Sequence, residues 1–236
     1  MWGWAAERDY VPMNFLAGVK KVGGKEAEKE RVLTLDELKT FFAALEEANT
    51  ADTVRRALKL ILLTAQRPGE VAGMMLSELH DLDGSKPHWI IPAARTKNKK
   101  AEHTVPLSPA AVRLIREALN ASQDEKRGAN DQAVFASKFE GGTTLARHSL
   151  SQAVRRIISD NGLAAFTPHD LRRTAATIAQ AARLPVDFVK ALLNHNDKGV
   201  TGIYARWRMF EEKREAVMAI EAAVLPLMQK ATALAA

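Results

Sequence analysis

The chain has 236 residues, of which 47% are hydrophobic and 26% charged, so it is long enough to bury a full hydrophobic core, and a fibre or a disordered tail is excluded. Thirty-four Lys and Arg against 28 Asp and Glu give a net charge of +6, which favours a polyanionic partner such as nucleic acid. Because cysteine is absent, a disulfide framework, a thiolate nucleophile and a Cys-based zinc site are excluded.

The sequence lacks obvious targeting signals. No uninterrupted apolar run approaches the roughly 18 residues of a membrane span. The first residues also lack a basic segment followed by an apolar one, as a secretory signal would have. We therefore expect a cytoplasmic protein.

Residues 1–31 have too little apolar surface to form a domain. The mixed-charge run 20–31 contains two adjacent glycines and no hydrophobic periodicity, which is typical of a linker. We expect 1–31 to be the tail of a preceding core-binding domain plus a linker, and 32–236 to be the main domain with its C-terminal helix.

The first elements predicted in the main domain are helices. Thr34 and Glu37 form a capping box that predicts a helix to about Ala48. A second helix is predicted over 51–65, and we expect Pro68 to end it at Arg67. Residues 70–75 can form another short helix, and residues 81–84 are typical of a turn.

Short β-type runs then occur at 88–92 and 103–107, the one sheet-like region. Ser108 and Pro109 predict the N-cap and first position of a helix through about Leu119, followed by an exposed loop over 120–132. The remaining predicted helices run from 144 to 162, from 168, from 185 to about 193, around Tyr204 after a turn at 194–199, and from 210 to about 230.

Common catalytic motifs are missing. The sequence contains no Gly-rich phosphate loop, no His-Glu-x-x-His pair, no acidic cluster spaced for metal and no Gly-x-Ser-x-Gly elbow. Five segments remain that carry basic residues or a tyrosine: 64–70, 95–98, 169–173, 192–195 and 202–206. His169 and Arg172 share a helix face, and Arg67 can supply a second guanidinium, so the set can clamp a phosphate.

These segments, in this order, resemble the catalytic domain of the tyrosine recombinases, the phage integrase family, from about Val32 to Arg206. The combination of His-x-x-Arg, Leu-Leu-x-His and a following Tyr is specific. The resemblance implies a mostly α fold with a small antiparallel β-hairpin region, the DNA breaking-rejoining core. It also implies a site-specific, metal-independent recombinase of a prophage or other mobile element that needs no cofactor and lies on the nucleoid when bound to DNA.

The resemblance further implies the role of each site residue. Tyr204 is the nucleophile that forms a 3′-phosphotyrosine, and Arg67 and Arg172 stabilise the transition state. His169 assists proton transfer, His195 hydrogen-bonds the phosphate, and Lys97 protonates the leaving 5′ oxygen, with Lys99 and Lys100 as competitors for that last role. Glu70 supports Arg67.

The expected partner is double-stranded DNA. Residues expected to contact it are Arg95, Thr96, Asn98, Lys99, Lys100 and Arg173. The alternative role of such a basic hairpin is a solvated turn that keeps an edge strand from pairing. The resemblance implies a tetramer on DNA in which the C-terminal helix docks on a neighbouring protomer. His80, His88, His103 and His148 receive no role, because their spacing forms no metal-ligand pattern.

Two departures from the family pattern and two alternative functions accompany this interpretation. Asn194 stands where many relatives carry Gly, and Ala182–Arg183 where a helix-ending Gly is frequent. A type IB topoisomerase uses the same tyrosine chemistry without exchanging partners. An inactive DNA-binding module would share the charge and tolerate loss of Tyr204.

Overall fold

The computed structural model of the chain describes residues 2–19, 31–96, 99, 101–123, 132–137, 144–195 and 209–235. The chain forms two compact units, Met1–Glu30 and Arg31–Ala236. The described part of the first unit contains helix α1 (Trp2–Ala6), and Trp4 stacks on Tyr10 with ring centroids 5.6 Å apart. Tyr10 is 72% exposed.

The described part of the second unit is mostly helical, as predicted. Its α-helices are α2 (Leu35–Glu47), α3 (Asp52–Thr64), α4 (Pro68–Ala72), α5 (Pro109–Gln123), α6 (Arg147–Asn161), α7 (Pro168–Ala181), α8 (Val186–Leu192) and α9 (Phe210–Ala235). Single 3-10 turns lie at Leu76–Glu78 and Ala93–Arg95. The short helix predicted around Tyr204 and part of the loop predicted over 120–132 lie outside the described residues.

The described residues form one small antiparallel sheet in the order β1-β2-β3. Strand β1 is Leu79–His80, β2 is His88–Ile91 and β3 is His103–Pro106. Ile91 pairs with His103, and His88 pairs with Pro106. The predicted hairpin is confirmed, while β1 was not predicted because two residues are too short for an alternating pattern.

Local capping signals explain several helix ends. The Thr34 hydroxyl accepts from the Glu37 amide at 3.2 Å, and the Glu37 carboxylate accepts from the Thr34 amide at 2.8 Å, so the predicted capping box is confirmed. Gly162 ends α6 in the left-handed conformation with a φ of 60°, the region that glycine enters without steric cost.

Two predicted helix boundaries are wrong, the end of α3 and the start of α4. Helix α3 ends at Thr64 because Ala65 turns left-handed with a φ of 54°, and Pro68 begins α4 rather than ending α3. Proline suits a first helical position because its missing N–H would have no intrahelical partner there. Arg67 is therefore the N-cap of α4.

The start of α5 is stabilised from a distance. The Ser108 hydroxyl, predicted to cap the helix, is buried without a hydrogen-bond partner. The Ala110 amide instead donates to the Glu221 carboxylate of α9 at 2.9 Å. The helix continues to Gln123, beyond the predicted end near Leu119.

Helix α3 is the central element of the core. Leu58, Ile61 and Leu62 are fully buried, and α3 packs against α4, α5, α6, α7 and α9. The largest fully buried side chains are Trp89, Phe41, Phe42 and Phe135. This packing holds α4 and α7, which carry the candidate site arginines, against one rigid helix.

Helix α9 is long and apolar enough, by length and composition alone, to cross a membrane over Phe210–Ala233. It packs on α2, α3, α7, α8 and β3, and Val217, Ile220 and Val224 are buried in the core. A core helix of a globular domain meets the same length criterion, and α9 contributes these residues to the core of its own domain. Its docking on a neighbouring protomer stays a prediction.

Both departures from the family pattern lie at left-handed positions. Arg183 has a φ of 61° and Asn194 a φ of 52°, a conformation that is strained for an arginine.

We expect Arg183→Gly to raise the free energy of unfolding by roughly 0.5–1 kcal/mol. Urea denaturation will measure it. Arg155→Gly inside α6 is the matched control and should lower stability, and a loss of stability in Arg183→Gly would contradict the strain.

Candidate active site

Arg67 and Glu70 form a fixed pair at the start of α4. The Arg67 guanidinium donates from Nη1 to Glu70 Oε1 at 2.9 Å, and the Arg67 amide donates to Glu70 Oε2 at 3.0 Å. Glu70 is 5% exposed. One carboxylate therefore caps the helix and orients the guanidinium, which is the geometry that the predicted supporting role requires.

Arg172 of α7 is buried under the site and is 4% exposed. Its Nη1 donates to the Ala65 carbonyl at 2.9 Å and its Nη2 to the Leu193 carbonyl at 2.7 Å. Burial and the nearby Arg67 charge lower the pKa of Arg172 to about 10, while the negative charge of Glu70 acts to raise it. The side chain thus stays cationic at neutral pH, and its geometry is set by two main-chain oxygens.

His169 lies on the exposed side of the first turn of α7. Partial burial of the ring is the largest cause that lowers its pKa, followed by the charges of Arg172 and Arg173, while Asp170 acts in the opposite direction. Since an ordinary histidine pKa is near 6.5, this shift leaves the imidazole neutral at pH 7 and able to accept a proton.

Buried Asp170 fixes the start of α7. Its Oδ2 accepts from the Thr167 amide and hydroxyl, both at 2.8 Å, and its Oδ1 accepts from Arg173 Nη1 at 2.9 Å. Arg173 is thereby tied to its own helix. Its predicted contact with DNA stays a prediction.

His195 follows the C-terminal end of α8 and is exposed. Its amide donates to the Lys190 carbonyl at 3.0 Å after the left-handed Asn194. The Leu193 carbonyl, two residues before His195, is the one that accepts from Arg172. The His195 turn and the buried arginine are therefore directly connected.

The hairpin residues that the structure describes hold the hairpin base. The Arg95 guanidinium donates to the Glu78 carboxylate and to the Glu70 carbonyl. The buried Thr96 hydroxyl lies within hydrogen-bond distance of two carbonyls that it can donate to, those of Ala93 at 2.9 Å and Ala101 at 3.3 Å. These contacts give both side chains a structural task that the sequence did not indicate.

Of the other predicted hairpin residues, Lys99 is exposed. Lys97, Asn98 and Lys100 lie outside the described residues, and so does the predicted nucleophile Tyr204. The identity of the general acid among the three lysines stays open, and the DNA contacts stay predictions.

Gln66 and His103 were missed by the sequence interpretation. Gln66 Nε2 and His103 Nε2 both lie within hydrogen-bond distance of the Leu192 carbonyl, at 2.8 and 3.0 Å. Both side chains are buried. The acceptor of both contacts is a main-chain carbonyl, which every residue has. No pair of residue types at a fixed spacing could therefore have indicated these contacts from the sequence.

The structure therefore brings Arg67, Glu70, His169, Arg172 and the His195 turn together from α4, α7 and the end of α8. Two fixed guanidinium groups beside a neutral imidazole can bind a phosphate-like oxyanion and accept a proton. Within the described ranges, no group of three or more His, Asp or Glu side chains could hold a metal ion.

Comparisons with known proteins identify the family of the chain. The model of the phage integrase family matches residues 31–210, and the chain belongs to that family. The prophage integrase IntZ of Escherichia coli K12 is 25% identical over 183 residues, which cover 77% of this chain and 42% of that protein. The tyrosine recombinase XerD of Rhizobium meliloti is 33% identical over 138 residues, covering 56% of this chain and 42% of that protein. The chain spans about two fifths of the length of these curated relatives.

Solved structures confirm the predicted fold. The lambda integrase catalytic core superposes with a TM-score of 0.52 at 22% identity, covering 71% of this chain and 94% of that one. A lambda integrase tetramer bound to a Holliday junction gives a TM-score of 0.54 at 21% identity, covering 83% of this chain and 55% of that one.

Loss of the Glu70 charge should weaken anion binding at this site. Glu70→Gln keeps the shape but removes the charge-assisted bond that orients Arg67, so we expect orthovanadate to bind about tenfold more weakly. Calorimetric titration measures the affinity. Glu221→Gln, another buried carboxylate that receives a helix amide, is the control, and an equal loss there would contradict the expectation.

Proposed function

We propose that the chain is the catalytic domain of a site-specific recombinase that cleaves and rejoins DNA through a 3′-phosphotyrosine and so integrates or excises a mobile element. The observation that carries the proposal is the pair Arg67 and Arg172. Each guanidinium is held by fixed acceptors, and a neutral imidazole stands beside them, in a chain of the phage integrase family.

In the proposed first step the Tyr204 oxygen attacks the scissile phosphorus, and the bond from phosphorus to the 5′ oxygen breaks. The phenol proton passes to His169, which is neutral at pH 7 because its pKa is lowered by burial and neighbouring arginines. Lys97 gives a proton to the leaving 5′ oxygen. Arg67 and Arg172 balance the extra negative charge on the pentacoordinate phosphorus.

Rejoining reverses these steps. A 5′-hydroxyl attacks the phosphotyrosine and gives its proton to Lys97, and the Tyr204 oxygen leaves with the proton returned from His169. When the hydroxyl belongs to a second duplex, the outcome is strand exchange. The covalent link conserves the phosphodiester bond energy, so the proposed reaction needs no nucleotide and no cofactor.

We further propose that four copies act together on double-stranded attachment sites. The proposal is supported by the related lambda integrase, whose tetramer is bound to a Holliday junction. The apolar face of α9 is occupied within its own domain, so the proposed contact with a neighbour would use the outward face, on which Met218 is 40% exposed.

Covalent trapping tests the proposed nucleophile. The protein is incubated, in buffer with EDTA, with a nicked suicide duplex that spans the junction between the mobile element and its host chromosome. We expect a DNA-linked band on a denaturing gel that disappears in Tyr204→Phe. Tyr10→Phe is the matched control, because the chain has two tyrosines, and it should keep the band. No band from the folded wild type, or a band that persists in Tyr204→Phe, would overturn the proposal.

A second assay separates recombination from the alternative of strand relaxation. A plasmid with two junction sites should yield exchanged products, and a plasmid with one site should not. Relaxation of supercoils with a covalent band but without exchange would identify a type IB topoisomerase activity instead.

A further inference from the structure

Three buried side chains from three parts of the fold converge on the last main-chain carbonyls of α8. Gln66 and His103 meet the Leu192 carbonyl, at 2.8 and 3.0 Å. Arg172 donates to the Leu193 carbonyl at 2.7 Å. Carbonyls at a helix C-terminus have no intrahelical donor, so these contacts supply the hydrogen bonds that α8 itself cannot.

The turn that these contacts hold leads directly to His195. Asn194 is left-handed with a φ of 52°, and the His195 amide closes the turn on the Lys190 carbonyl. Helix α8 has only seven residues, so its own hydrogen bonds provide little rigidity. The position of His195 therefore depends on the donors that hold Leu192 and Leu193.

His103 is suited to a purely positional task. A carbonyl only accepts, so the proton of the ring lies on Nε2. The side chain is 4% exposed, and burial with the charges of Lys213, Arg172 and Arg67 lowers its pKa to about 3. The imidazole is thus a permanently neutral donor at physiological pH and takes no part in proton transfer.

Strand β3 connects this contact to other parts of the fold. Buried Lys213, near the start of α9, donates to the carbonyl of Thr104, the residue after His103, at 2.9 Å. His103 also pairs across the sheet with Ile91 of β2. The donor to Leu192 is therefore fixed by the sheet and by α9 as well as by its own burial.

We propose that His103 is a positioning residue whose hydrogen bond to the Leu192 carbonyl holds the α8 turn, and through it both the Arg172 acceptor and the His195 imidazole. This inference rests on the proposed function only for its effect on catalysis. The effect on the turn is independent of any reaction.

The test compares three variants. His103→Phe removes the donor but keeps a buried ring, and His103→Gln keeps a neutral N–H donor. His88→Phe is the matched control, since His88 is a buried histidine of the paired strand that meets the Lys86 carbonyl away from α8. Hydrogen exchange of the His195 amide, followed by NMR, reports on the turn.

Leu163 provides the internal reference. Its amide donates to the Ile158 carbonyl, five residues back, as the His195 amide does to Lys190, so both close the same kind of turn. In His103→Phe we expect exchange of the His195 amide to rise about tenfold relative to Leu163, because one net hydrogen bond is lost. His103→Gln and His88→Phe should leave this ratio unchanged.

Orthovanadate affinity gives the functional readout. We expect His103→Phe to bind the anion about tenfold more weakly and His103→Gln to restore most of the affinity. An unchanged exchange ratio in His103→Phe, or an equal rise in His88→Phe, would overturn the proposal. If the wild type binds no vanadate, the proposed function fails while the exchange ratio still decides the role of His103.

Discussion

Arg172→Lys is expected to lower the rate of covalent DNA cleavage by at least about a hundredfold, since removal of one transition-state donor has an effect of that size in other enzymes. The Arg172 guanidinium donates to the Ala65 and Leu193 carbonyls and still has N–H groups left for a phosphate. A lysine keeps the charge but has no planar fork, so it cannot satisfy both carbonyls and the phosphate in this geometry.

The rate of appearance of the covalent band measures this effect. Arg173→Lys is the matched control, because Arg173 is the adjacent arginine of α7 and pairs with Asp170, and because lysine keeps the positive charge on which its predicted DNA contact depends. We expect the control to keep at least half of the wild-type rate. A cleavage rate in Arg172→Lys close to that of the wild type, with the fold intact, would contradict the role of Arg172 as a transition-state donor.

Burial of Arg172 also changes what an alanine variant can show. If position 172 were exposed, Arg172→Ala would lower cleavage and leave the fold intact. In the structure, alanine would remove the donor to the Ala65 and Leu193 carbonyls and open a cavity, so the variant should also lose stability. The lysine variant separates the chemical effect from the structural one.

Local signals account for most of the fold that could be predicted from the sequence. The capping box of Thr34 and Glu37 and the left-handed Gly162 depend on a few neighbouring residues, and both occur in the structure as predicted. The end of α3 was misplaced because the left-handed turn at Ala65 has no glycine or asparagine to indicate it. The carboxylate that caps α5 is 111 residues away, beyond any local rule.

The candidate site also combines features set by local spacing with features set by contacts distant in the sequence. Spacing predicted that His169 and Arg172 share a face, because that follows from the helix period alone. It could not predict that Arg172 is buried or that Arg95 and Thr96 hold the hairpin base, because these facts depend on carbonyls and on the Glu78 carboxylate. Main-chain acceptors are present at every residue, so the sequence does not distinguish the ones that are used.

The buried neutral state of His103 predicts a pH dependence of stability. Its pKa is about 3 in the folded chain, against an ordinary value of 6.5, and burial is the largest cause, followed by the Lys213 charge. Between these two pH values the unfolded chain binds a proton that the folded chain does not. This group therefore lowers the free energy of unfolding as pH falls from 6.5 towards 3.

The size of this effect follows from the two pKa values. On going from pH 7 to pH 4, the wild type should lose about 3 kcal/mol more stability than His103→Gln, which keeps the donor but has no imidazole to protonate. Urea denaturation at each pH measures the difference. His148→Gln, at an exposed position, controls for the loss of a histidine and should retain the wild-type slope. Parallel slopes for the wild type and His103→Gln would show that His103 is not held neutral, because a histidine with an ordinary pKa in both states adds no pH dependence.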